Sequence, residues 1–136
     1  MVQHLFFPNL TMTENEISYL IRKGIFMVYN RLGPGLLEST YEASLAYELQ
    51  KLGLKVSLQV PIPMVYEEVR LNIGFRVDMI VEDKVMVEIK SIEGLADVHH
   101  QQLLTYLKLS KLRLGLLVNF NTTEITNSII RKVNGL

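Results

Sequence analysis

The chain has 136 residues, 49% of them hydrophobic, which is the size of one domain with a substantial core. Its 14 basic and 14 acidic residues cancel, so nucleic-acid binding by bulk positive charge is excluded and only a local patch can serve. With no cysteine, disulfides, thiolate nucleophiles and cysteine zinc sites are excluded, and three histidines, His4, His99 and His100, are a poor basis for an all-histidine metal site.

In chain order, residues 1–12 read as an N-terminal arm and 13–136 as a single domain. Thr13 followed by Glu16 is a capping-box pattern, and Ile17, Leu20, Ile21, Gly24, Ile25 and Val28 recur at helical spacing. That helix should stop near Leu32, because Gly33-Pro34-Gly35 breaks it. A second helix is predicted from about Leu36 to Leu52, with Leu37, Tyr41, Leu45, Leu49 and Leu52 on one stripe and Gly53 closing it. Lys55–Tyr66 reads as an edge strand bent or interrupted at Pro61 and Pro63. Glu67-Glu68 turns the chain into Val69–Ile73, and Gly74 marks a bulge before Phe75–Val81. Val85–Lys90 is the next strand, Asp97 caps a helix from Val98 to Ser110, and Arg113–Phe120 is a buried strand. Thr122–Val133 fits a short helix or a strand. The order defines an α/β fold with a mixed central sheet flanked by helices, its last long strand pairing in parallel through the helical crossover.

The chemistry concentrates in Arg76-Val77-Asp78-Met79-Ile80 and Val87-Glu88-Ile89-Lys90. With Glu82-Asp83-Lys84 as the turn, Val81 faces Val85 and Asp78 falls opposite Glu88. Strand alternation then puts Val77, Met79 and Val81 on one face with Val85, Val87 and Ile89. Asp78, Glu88 and Lys90 share the other face, beside Arg76. Such charges are ordinarily a solvated face with cross-strand ion pairs. Here the flanking strands are apolar, and two facing carboxylates repel unless a cation lies between them. The pattern suits a divalent metal with a lysine next to it.

Glu38 lies in the first turn of the second helix, where the helix dipole by itself favours a carboxylate, and Tyr41 shares its face. On the helix after the pair, Gln102 and Tyr106 share a face with His99 one turn earlier, and its first turns can overhang the carboxylates. Lys108, Lys111 and Arg113 are possible phosphate contacts.

The order helix–Glu38, strand–Asp78, strand–Glu88-x-Lys90, helix–Gln102 resembles the PD-(D/E)XK nuclease superfamily, with a restriction-endonuclease-like core. Gly35, Glu38 and Tyr41 spell the motif of the GxxExxY proteins. Two positions depart from the usual pattern: Val77 stands where a Pro commonly precedes the first Asp, and Tyr29 where many relatives have His. The resemblance implies a metal-dependent phosphodiesterase acting on nucleic acid, DNA rather than RNA. It implies Mg²⁺, with Mn²⁺ as substitute, held by Asp78, Glu88 and Glu38. Lys90 would position the water, and Gln102 would line the site with Gly35, Tyr41, His99 and Tyr106. The competing reading is a catalytically inert binding or assembly module, or an accessory subunit, that keeps the nuclease fold.

Mean hydropathy of +0.21 is high for a small monomer, so a homodimer is expected, using the first helix or the Leu5-Phe6-Phe7 cluster of the arm. No apolar run has membrane-spanning length and the start lacks the pattern of a signal peptide, so the expected location is cytoplasmic.

Overall fold

A computed structural model of the chain describes residues 11–136; His4, the Leu5-Phe6-Phe7 cluster and nearly all of the expected arm lie outside the described residues. Helix α1 spans Glu14–Leu32. Its start is the capping box expected: the Glu16 N–H donates to Thr13 Oγ1 at 3.2 Å, and the Thr13 N–H donates to Glu16 Oε1 at 2.9 Å. Ile17, Ile21, Ile25 and Val28 form its buried stripe. Gly33, at φ 68°, ends it. Helix α2 spans Glu38–Lys51, two residues later than predicted, because Pro34-Gly35 and an extended Leu37 hold the chain open before Glu38. The two helices touch at Gly24, where a Cβ would come within 2.8 Å of Leu49 Cδ2.

A five-stranded sheet follows, in spatial order β1 (Val56–Tyr66), β2 (Val69–Val81), β3 (Val85–Lys90), β4 (Leu114–Asn119), β5 (Ile129–Val133). β1–β2, β2–β3 and β4–β5 are antiparallel; β3–β4 is parallel, joined through helix α3 (Asp97–Ser110), the crossover the sequence predicts. β4 is buried throughout, and β3 up to its last residue, Lys90, which explains their near-continuous apolar runs. One face of the sheet packs Met79, Val81, Val85, Val87 and Val118 against the stripes of α1 and α2. The other packs Ile80, Met86 and Leu117 against Leu103, Tyr106 and Leu107 of α3. No helix among the described residues is long and apolar enough to cross a membrane.

Several local expectations change. β1 is the edge strand, but it runs through Pro61 and Pro63, with a register shift between Pro63 and Val65 instead of a break. An edge strand needs no ladder donor on its open side. β2 runs through Gly74 as one strand, and the register shift lies beside it as expected: Gly74 pairs with Pro63 while Arg70 pairs with Val65, so the extra residues are on β2 just before Gly74. Gly74 faces Pro63, and a Cβ there would sit 2.7 Å from the Ile62 carbonyl oxygen. Asp97 is the first residue of α3, not its cap: the Ala96 N–H donates to His99 Nδ1 at 2.9 Å. The tail uses both alternatives, a 3₁₀ turn at Ile125–Ser128 and then β5. Tyr29 donates to the Thr122 carbonyl and so ties α1 to that tail. Arg113 donates to the Gly135 carbonyl from Nε and Nη2, so it braces the C-terminus.

Candidate active site

The β2–β3 hairpin has the register read from the sequence: Val81 pairs with Val85, Ile80 with Met86 and Met79 with Val87. Glu82 and Asp83 turn it with φ of 54° and 56°. The ladder ends one step later, at Asp78 and Glu88, where side chains replace backbone pairing. The Asp78 N–H donates to Glu88 Oε1 at 2.9 Å, and the Ile89 N–H donates to Asp78 Oδ2 at 2.7 Å. Each carboxylate thus satisfies backbone of the opposite strand while the strands part.

The face assigned to Val77 is corrected. Val77 packs with Ile80 and Met86 on the α3 side, whereas Met79 and Val81 pack on the α1–α2 side. Alternation slips at Asp78, opposite Gln59 of β1, whose φ of 50° interrupts the β1–β2 pairing there. The slip opens the sheet where the acids lie. Arg76 lies at this edge, its Nη1 donating to the Gln59 carbonyl at 3.2 Å.

Glu88 is 9% exposed. Burial, and then the Asp78 carboxylate, drives its carboxyl from 4.5 up to about 7; the Asp78 N–H and the Lys90 charge oppose this, and Glu38 adds to it. Asp78 and Lys90 are half-buried. Glu38 is held from β3's far end: the Ser91 N–H donates to its Oε2 at 3.0 Å, and Ser91 Oγ donates to the Leu36 carbonyl at 2.5 Å.

Tyr41 is fully buried and does not line the site. Its hydroxyl donates to the Gly33 carbonyl at 2.6 Å and accepts the Leu36 N–H at 3.1 Å, while its ring stacks on Phe120 at 4.3 Å. It clamps the loop in which Gly35 takes φ 93°, and that loop delivers Glu38.

On α3 the structure separates what the sequence grouped. Tyr106 is buried, packs on Phe75 and feels the acids: burial, then the charges of Glu88 and Asp78, raise its hydroxyl above its usual range. His99 is engaged in capping its own helix. Gln102 is exposed.

Two residues of this cluster are absent from the sequence reading. Gln59 Nε2 donates to Glu42 Oε1 at 2.6 Å and to Asp78 Oδ1 at 3.3 Å. Burial raises the Glu42 carboxyl, the Gln59 bond lowers it, and the Asp78 charge raises it. Glu42 follows Glu38 by four residues, a same-face spacing that signals it; Gln59 is visible only once β1 is registered against β2.

These elements define a mixed-sheet α/β domain with a pair of carboxylates where the pairing of two antiparallel strands ends, and a lysine two residues further along β3. A family model described as the PD-(D/E)XK nuclease superfamily matches residues 15–132, and the chain belongs to that superfamily. No curated protein and no solved structure gives a significant match.

Superfamily members often use a divalent metal. Among the described residues, no group of three or more His, Asp or Glu side chains is gathered as a metal cage. The donors fit Mg²⁺ in kind. They are hard carboxylate oxygens: Glu88 Oε1 and Asp78 Oδ2 are committed to backbone N–H groups, which leaves Glu88 Oε2 and, beyond the long 3.3 Å bond from Gln59, Asp78 Oδ1 as the oxygens a cation would use. Mg²⁺ commonly takes one or two carboxylates and keeps several waters.

Proposed function

We propose that the chain is a Mg²⁺-dependent nuclease of the GxxExxY group, hydrolysing phosphodiester bonds of nucleic acid, DNA in preference to RNA, as a homodimer. The observation that carries this reading is the Asp78–Glu88 pair. It is two carboxylates bonded into each other's strand, one buried and pushed up to about 7, where the sheet opens. A fold incurs that desolvation for no structural return that a neutral pair would not give.

Asp78 and Glu88 would hold the ion. When bound, Mg²⁺ supplies Lewis acidity and neutralises charge on the phosphoryl oxygens. Lys90 orients the attacking water and stabilises developing charge. Glu38 and Glu42 add negative potential on the α2 side, and Gln59 fixes the direction of the Asp78 carboxylate. Tyr106 closes the α3 side.

The test is cleavage of a panel of linear, branched and single-stranded DNA and RNA with Mg²⁺ or Mn²⁺. Asp78→Asn and Lys90→Ala should each lower the rate at least about 100-fold. Cleavage that both variants retain would assign the activity elsewhere. A native chain inert on every substrate that also binds no Mn²⁺ would return the reading to a non-catalytic assembly module.

A further inference from the structure

Glu48 is the buried charge that the proposed chemistry does not use. It is 5% exposed, on α2, facing the end of α1. Its Oε1 lies 3.5 Å from the exposed Lys51 Nζ. Its Oε2 is buried without a hydrogen-bond partner, the single side-chain polar atom in that condition among the described residues. Glu48 also lines a cavity of 330 Å³ between α1 and α2, with Val28, Arg31, Leu32, Ala43 and Tyr47.

We propose that this groove is a binding site for an arginine side chain carried on an apolar, acid-flanked segment of a partner protein. A buried carboxylate oxygen without a donor calls for one, and a cation gives the strongest bond there. Beside Ser44 and the rim Arg31, the walls are apolar or aromatic, which suits the stem of a long cationic side chain and a guanidinium lying against Tyr47. Tyr47 already carries a cation over its ring, Lys51 Nζ at 5.2 Å, and both side chains are exposed enough to turn aside. Only one carboxylate is buried here, so the site takes one positive charge. Arg31 and Lys51 at the rim repel a polycation and attract acids flanking the arginine. Exposed Leu32 and Tyr47 complete the apolar rim.

The test uses the full isotope-labelled chain and two capped peptides, acetyl-Glu-Leu-Arg-Leu-Glu-amide and its citrulline counterpart, near-isosteres in which a neutral ureido group replaces the guanidinium, so that the charge and one donor nitrogen are lost. The arginine peptide should shift the Leu32 and Tyr47 amide signals and bind at least tenfold more tightly than the citrulline peptide. Glu48→Gln should make the two equal. Equal affinities on the native chain, shifts centred on Asp78 and Glu88, or tighter binding of spermidine than of the peptide would overturn the proposal. If Glu48→Gln does not fold, the two-peptide comparison on the native chain decides alone. The competing outcome is that Arg31, which lines the groove, fills it in solution. Arg31→Gln would then lower the Tm of the native chain but not of the Glu48→Gln chain, and that result also overturns the proposal; an unchanged Tm supports it.

Discussion

Burying Glu88 beside Asp78 ties the stability of the metal-free chain to pH. The folded carboxyl titrates at about 7 against 4.5 for an unperturbed one, so the folded chain holds its proton more tightly. Between those values the native state binds more protons than the unfolded state, and stability falls as pH rises. Below 4.5 the contribution is complete; above 7 it is gone. At 1.36 kcal/mol per pH unit the loss is at most roughly 3 kcal/mol. Urea unfolding at pH 5 and pH 8 should show this fall in the native chain and not in Glu88→Gln, which should be the more stable of the two at pH 8. Asp78→Asn keeps an oxygen to accept the Ile89 N–H while removing the charge, so it should leave the Tm unchanged or raise it. A variant that unfolds would make Asp78 a structural ion-pair member.

At the scale of elements, Tyr41 clamps the loop that presents Glu38. Tyr41→Phe keeps the stack on Phe120 and removes both hydroxyl contacts, leaving the Leu36 N–H and the Gly33 carbonyl without them. It should cost about 1–3 kcal/mol and speed hydrogen exchange at Leu36. Unchanged exchange there would mean the loop holds itself. The helices, the β2–β3 register and the parallel crossover were legible in the sequence because periodicity and turn residues act locally. The slip of alternation at Asp78 was not, since it comes from Gln59 on a strand 19 positions earlier, seen only through pairing. Tyr41 was legible as a motif residue but not as a clamp, because its partners lie on a loop whose shape no spacing encodes. The capping bond of His99 was not legible for a related reason: α3 starts one residue earlier than expected, which sets His99 three residues after the cap Ala96.

For the whole molecule, the β1–β2 hairpin extends past the sheet. Tyr66, Val69, Leu71 and Ile73 lie on it, and all are exposed. A two-stranded ribbon of this kind is marginal by itself. Its tip also carries Glu67, Glu68 and Arg70, opposite charges on one patch that a two-fold contact can pair across. For the dimer proposed above this ribbon is the predicted contact, in place of the first helix or the arm that the sequence suggested: light scattering should give twice the 15.6 kDa of one chain, and Val69→Lys with Ile73→Lys should halve it. A native mass of one chain at every concentration would contradict the dimer. The measurement closest to the central claim, that Asp78 and Glu88 form a cation seat, is a calorimetric Mn²⁺ titration of the native chain and Asp78→Asn at pH 6.5 in buffers of different ionisation enthalpy. The account predicts binding to the native chain with release of a proton from Glu88, and none to the variant. Equal binding to both, or binding without proton release, would contradict it.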